Sequence, residues 1–265
     1  MTTTQHDSKL EKLPPTQASL AHGVADRDPG TLYVLSFGGG VKHPPQPGVE
    51  VTFGREKPAV QVLVGGDDRS VSRRHGVLRY DDGAWWLRNS GRRNLQLPGT
   101  TQLFHESAPY PLTPGYTPVF IRTSASRTHL VEIYVSDGTG NGPRPVYGEP
   151  TFDGQTWALS PAEKLAVVAT AQPYLLYERH PEPWSREAVA ALLRDVDRGE
   201  RWSKSKVGRI VDGVRERLSS KGVPGLTAAE VGSPVGNRLK HNLVVELMAS
   251  RTIVPPDLDL LDANR

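Results

Sequence analysis

Cysteine is missing from this 265-residue chain, which removes disulfides, thiolate metal sites and cysteine nucleophiles together and fits a reducing compartment. Also missing is any run of about 18 apolar residues, so no membrane-spanning helix is expected. The opening stretch MTTTQHDSKLEKLPPTQ has no apolar segment of signal-peptide type. A soluble, cytoplasmic protein with no membrane partner is the expectation. The HExxH, P-loop and GxSxG motifs and paired-histidine metal spacings are absent as well, so no enzyme activity, metal or cofactor is expected. Charge of one sign is scarce too: the net charge is only +3, which permits an anionic partner without requiring one. Glycine and proline are plentiful by contrast, at 26 and 23 residues. Long uninterrupted helices are therefore not expected over most of the chain.

Two grammars divide the sequence. Residues 1–28 are polar, with no sustained period, and read as a disordered tail. From 29 to 136 the punctuation is that of short strands, including TLYVLSF (31–37), VEVTFGR (49–55), HGVLRYDD (75–82), AWWLRNS (84–90) and the apolar runs of 119–135. Many such strands at roughly ten-residue spacing indicate an all-β sandwich. Asp81-Asp82-Gly83 is a hairpin signal, and of the adjacent Trp85 and Trp86 one faces the core. Residues 137–157 read as a Gly/Pro-rich linker. Its GTGNG resembles a phosphate loop, but no helix follows it. Residues 158–265 switch to a helical period. Ser160-Pro161-Ala162-Glu163 is a capping box with Pro at the first helical position. Ser185 and Ser203 open further helices, and Thr227-Ala228-Ala229-Glu230 opens a short one. The fold class expected is a β-sandwich followed by a small α-helical domain.

The informative residues are Gly54-Arg55, then Ser72-Arg73-Arg74-His75, then LRNSGRRN ending at Asn94. A phosphoryl group brings nearly two negative charges and three acceptor oxygens. Arg55 offers a planar fork of donors that can bind it bidentately, Ser72 a compact hydroxyl, and Asn94 a donor and acceptor for an extended backbone. Singly, each of these reads as a surface cation or turn residue. In this order and spacing they resemble the forkhead-associated (FHA) domain, an eleven-strand sandwich whose apical loops bind phosphothreonine, over roughly residues 28–136. The resemblance implies phosphate contacts at Arg55 and Ser72 and peptide-backbone contacts at Arg73 and Asn94. It also implies structural support from Gly54 and from a non-catalytic His75. The partners implied are a phosphothreonine-containing protein and the Ser/Thr protein kinase that modifies it. The chain departs from the family pattern at Leu95, where the family has Gly after Asn. It departs again at Arg92, where the family has a small hydroxyl residue. A loop of different shape with added positive charge is expected there. Tail residues Thr2, Thr3, Thr4 and Thr16 are candidate phosphorylation sites that could occupy the same site from within the chain.

In the helical half, Lys206, Arg209 and Arg217 flank Gly213 opposite an apolar stripe of Val207, Ile210, Val211, Val214 and Leu218. A short helix, a connection and a longer basic helix resemble, in pattern, winged-helix regulators of the response-regulator output type. That implies double-stranded DNA contact through those three cations and a role in transcription regulation. The alternative is an adaptor whose helical domain binds another protein. His105, His129, His180 and His241 have no partner pattern in the sequence.

Overall fold

The computed structural model describes residues 10–14, 16–25, 28–99, 101–124, 127–139 and 156–262. The chain divides into two compact units, Met1–Arg144 and Pro145–Arg265. Residues 140–142 of the glycine-rich GTGNG, most of the expected 137–157 linker and residues Thr2 to Thr4 lie outside the described residues.

The first unit has twelve strands among the described residues. They are β1 (Glu11–Lys12), β2 (Leu32–Ser36), β3 (Gly39–His43), β4 (Glu50–Gly54), β5 (Val62–Leu63), β6 (Gly76–Asp81), β7 (Ala84–Asn89), β8 (Leu95–Gln96), β9 (Gln102–Leu103), β10 (Tyr110–Leu112), β11 (Gly115–Arg122) and β12 (Thr128–Val135). They form a seven-stranded sheet in the order β1-β3-β2-β12-β11-β8-β9 and a five-stranded sheet in the order β10-β7-β6-β4-β5. Period-2 alternation turns Phe53, Leu78, Trp85 and Leu87 of one sheet toward Val34, Val119, Ile121 and Ile133 of the other, all with at most 1% exposure. Each such side chain contributes about 1.5–3 kcal/mol of burial. Trp85 is buried with its indole N–H on the Gly30 carbonyl at 2.8 Å, while Trp86 is half-exposed. The β6–β7 hairpin turns on Asp82 and Gly83, both at positive φ, as Asp-Gly turns require.

One expectation fails at the start of the chain. Within the segment read as a disordered tail, Glu11–Lys12 pairs antiparallel with β3, and Leu20–His22 forms a 3-10 helix capped by Ser19. The reason is tertiary. Leu13, Leu20 and Val24 have no period among themselves, but Tyr33, Leu35, Tyr116 and Tyr134 turn outward from the seven-stranded sheet and receive them. A buried carboxyl fixes this strap. Glu132 of β12 accepts hydrogen bonds from Ser19 Oγ at 2.6 Å and Tyr116 Oη at 3.0 Å. Burial pushes the Glu132 pKa up, against the pull of those hydrogen bonds and of the Ala21 and Leu20 amides. The folded state therefore holds this proton more tightly than the unfolded chain. The Glu132 contribution is fullest below the ordinary value of 4.5 and is lost as pH rises through the raised one. Glu132→Gln is expected to flatten that part of the pH profile of the sandwich's thermal midpoint. An unaltered profile counts against Glu132 as the titrating group.

The second unit comprises α1 (Pro161–Thr170), α2 (Gln172–Leu175), α3 (Arg186–Val196), α4 (Lys204–Ser220), α5 (Ala228–Val231), α6 (Arg238–Ala249) and a final 3-10 helix, Pro255–Leu261. The caps read from the sequence are in place: capping boxes at Ser160/Glu163 and Thr227/Glu230, and side-chain caps at Ser185 and Ser203. Val207, Val211, Val214 and Leu218 bury the α4 stripe against a core that includes Val167, Leu193 and Leu247. Among the described residues of 156–262 there is no strand, so the β-wing of a winged helix is not present there. After α4 the chain forms α5, the short capped helix expected to open at Thr227.

Candidate functional site

Strand β4 ends where the next backbone crosses closely. A Cβ on Gly54 would sit 2.3 Å from the Arg73 carbonyl oxygen, so only glycine lets the 72–74 loop lie against this strand. Arg55 follows, and its backbone N–H donates to the Ser72 carbonyl at 3.1 Å. The loop that brings Arg55 and the loop that brings Ser72 are thus joined directly. The Arg55 side chain is half-buried, and its Nε is buried with no hydrogen-bond partner among the described residues. This donor of the Arg55 guanidinium is thus not spent on an acceptor among the described residues.

His75 explains why the loops hold together. The ring is fully buried. Its Nδ1 accepts the Ser72 backbone N–H at 3.0 Å, so the ring proton sits on Nε2, which donates to the Arg93 carbonyl at 2.9 Å. Burial lowers the His75 pKa and keeps the ring neutral, outweighing the Arg93 hydrogen bond that favours the charged form. Gly91 lies against the ring, since a Cβ there would come within 2.3 Å of it. Ser72 Oγ accepts the Arg92 backbone N–H at 3.0 Å, which leaves its own proton available to a ligand.

Asn89 is a site residue that the sequence reading missed. It is buried at the end of β7. Its Oδ1 accepts the Gly91 N–H at 2.8 Å, and its Nδ2 donates to the carbonyls of Arg93 and Leu103 at 2.9 and 2.8 Å. The signal was available: Trp85, Leu87 and Asn89 occupy the same inward alternation, and a polar residue there must find polar partners. His129 also has a partner, contrary to expectation. It bonds the nearly buried Asp68 at 2.9 Å. Burial would raise the Asp68 carboxyl, but hydrogen bonds from His129, Thr123 and the Ser70 backbone hold it well below the usual range.

The structure therefore gathers Arg55, Ser72 and Arg73 with the 90–94 loop at one end of the sandwich. Arg73 is exposed and pairs with Glu56 at 2.8 Å, while Arg74 pairs with Glu50 at 2.6 Å. Asn94 is half-buried with its amide toward Gln102 at 3.2 Å. Leu95 takes no left-handed conformation. It starts β8 and is fully buried, so the loop ends in a strand where the family pattern has a glycine.

The proposed DNA contacts fare differently. Arg217 does not project freely. It forks onto Glu163 at 2.6 and 3.2 Å and onto the Ala158 carbonyl at 3.1 Å, which ties α4 to the start of α1. Lys206 lies 4.7 Å above the Trp202 ring centroid and bonds Glu200 at 2.5 Å. Of the three, Arg209 alone is exposed with no ion pair among the described residues. Among those residues no group of three His, Asp or Glu side chains is placed to hold a metal ion, and no helix is long and apolar enough to cross a membrane.

Comparison with known proteins agrees with the sandwich and is silent on the helices. The FHA domain family model matches residues 51–116. No curated protein matches the chain. Similar solved structures include an engineered FHA with a Myc-pTBD peptide (19% identity, 42% of this chain and 95% of that one, TM-score 0.34). Rv1747 FHA-1 of Mycobacterium tuberculosis is another (22%, 41% and 98%, TM-score 0.32). A third is the N-terminal FHA domain of Rad53p from S. cerevisiae with a phosphothreonine peptide (17%, 42% and 97%, TM-score 0.33). Residues 51–116, the stretch that carries Gly54, Arg55, Ser72, Arg73, His75 and Asn94, are an FHA domain.

Proposed function

We propose that this chain is a phosphothreonine-dependent signalling protein, a binding protein rather than an enzyme. It takes a phosphorylated partner at the Arg55–Ser72 apex. The observation that carries the reading is the unmatched, buried Nε of Arg55 beside a Ser72 hydroxyl whose proton is uncommitted. The FHA domain is a phosphothreonine-peptide binding module, and the loop geometry supplies donors where such a phosphate needs them. Arg55 and Ser72 hold the phosphate, while Asn94 and, once released from Glu56, Arg73 hold the peptide backbone. A Ser/Thr protein kinase writes the mark.

The helical unit is the output. A helix pair α3–α4 with Arg209 exposed keeps duplex DNA as one reading, but Asp212 and Glu216 break the positive strip, and Lys206 and Arg217 are engaged internally. These signs favour a protein partner. Titration of the full chain with one peptide, phosphorylated and unphosphorylated at a single threonine, tests the first claim. Binding only of the phosphorylated form is expected, and equal binding of both overturns it. A parallel titration with duplex DNA at low salt is expected to show no binding through α4. Salt-dependent binding lost in Arg209→Ala restores the transcriptional reading.

A further inference from the structure

The loop that closes the apex carries more positive charge than one phosphate needs. Arg92 and Arg93 are both exposed and have no ion pair among the described residues. Their neighbours across the apex, Arg73 and Arg74, are each matched by a glutamate. Two consecutive unmatched cations repel each other and favour a counter-anion. Their backbone is fixed, because Arg92 N bonds Ser72 Oγ at 3.0 Å and Arg93 O is held by His75 and Asn89 at 2.9 Å each. The charges therefore stay anchored beside the phosphate site rather than trailing on a loose loop.

On this footing, which rests on the phosphothreonine reading above, we propose that Arg92 and Arg93 form a second anion subsite and that the preferred partner is a peptide bearing a second phosphate or carboxylate close to its phosphothreonine. An extended peptide advances about 3.5 Å per residue. A second anion about two residues away therefore lies roughly 7 Å from the first, within the span of an arginine side chain rooted next to Ser72. A phosphate and a carboxylate share the recognising chemistry, and Arg suits both through its planar donor fork.

The test uses the full chain and a set of peptides of one sequence. They carry phosphothreonine alone, or phosphothreonine with phosphoserine, glutamate or serine about two residues before or after it. For the wild type, the second phosphate at one of these positions is expected to tighten binding by about tenfold and glutamate by about threefold, the scale of one or two exposed ion pairs. Both gains shrink at about 0.5 M salt. In the double variant Arg92→Gln, Arg93→Gln the ratio of doubly to singly modified affinity falls to about one. If no phosphothreonine peptide binds the wild type, the underlying reading fails. If the singly phosphorylated peptide binds but the second anion adds nothing, or its gain survives in the double variant, the subsite alone is refuted. A duplex DNA oligomer that binds the wild type but not the double variant, with no peptide gain, overturns it in favour of a nucleic-acid surface. A gain from phosphoserine only assigns the subsite to phosphate, and gains from both assign it to charge.

Discussion

Arg55→Ala is expected to remove phosphopeptide binding while leaving the sandwich as stable as before. A charge-assisted contact contributes about 1.5–3 kcal/mol. An arginine that grips a phosphate with two donors therefore accounts for about a hundredfold to ten-thousandfold of affinity. Stability should not follow, because the Nε of this side chain has no hydrogen-bond partner among the described residues. Its Nε is an unmatched buried donor, and deleting such a donor leaves no orphan behind, so the thermal midpoint should be unchanged or slightly raised. Arg55→Lys keeps the charge but loses the fork, and it should recover only part of the affinity. Isothermal titration with phosphorylated and unphosphorylated peptides, beside a thermal melt of each variant, checks all three statements. Equal affinity of Arg55→Ala and the wild type would remove Arg55 from the site.

What could be seen in the sequence depended on whether the physics was local. The N-caps at Ser160, Ser185, Ser203 and Thr227 and the Asp82-Gly83 turn each require only a few adjacent residues, and all are found as expected. Gly54-Arg55 and Ser72 to His75 were legible because each glycine, hydroxyl or imidazole has a narrow job at a fixed spacing. The strap over residues 10–24 was not, since its apolar residues match an outward row of tyrosines that lies far along the chain. Strand β3 was hidden because Gly39 and Gly40 and the prolines after His43 look like loop punctuation. Arg217 shows the limit of a helical-wheel argument. It sits beside Leu218 at the flank of the α4 stripe, and the wheel cannot know that Glu163 of α1 packs there. Asn89 was within reach: the same alternation that placed Trp85 in the core also placed this amide there.

Acid should loosen the Arg55–Ser72 apex through His75. The ring must accept at Nδ1 from the Ser72 amide and donate from Nε2 to Arg93, and a protonated ring cannot accept. Its pKa is depressed, chiefly by burial, so the unfolded chain binds this proton more readily than the folded one. The His75 contribution is therefore complete above the ordinary value of 6.5 and is lost as pH falls through the lowered folded value. The phosphate of a bound peptide titrates near pH 6 in its own right, so the measurement is the thermal midpoint of the full chain without peptide. His75→Ala should cost about 2–4 kcal/mol, because it opens a cavity under Gly91 and strands the Ser72 amide and one bond of the Arg93 carbonyl. It should also abolish phosphopeptide binding, since Ser72 and the 90–94 loop lose their common brace. His75→Gln can restore an acceptor and a donor without a titrating group. It is expected to keep part of the stability and to flatten the fall below about pH 6.5. A Gln variant that melts along the same acid profile as the wild type would move the pH sensitivity to another group.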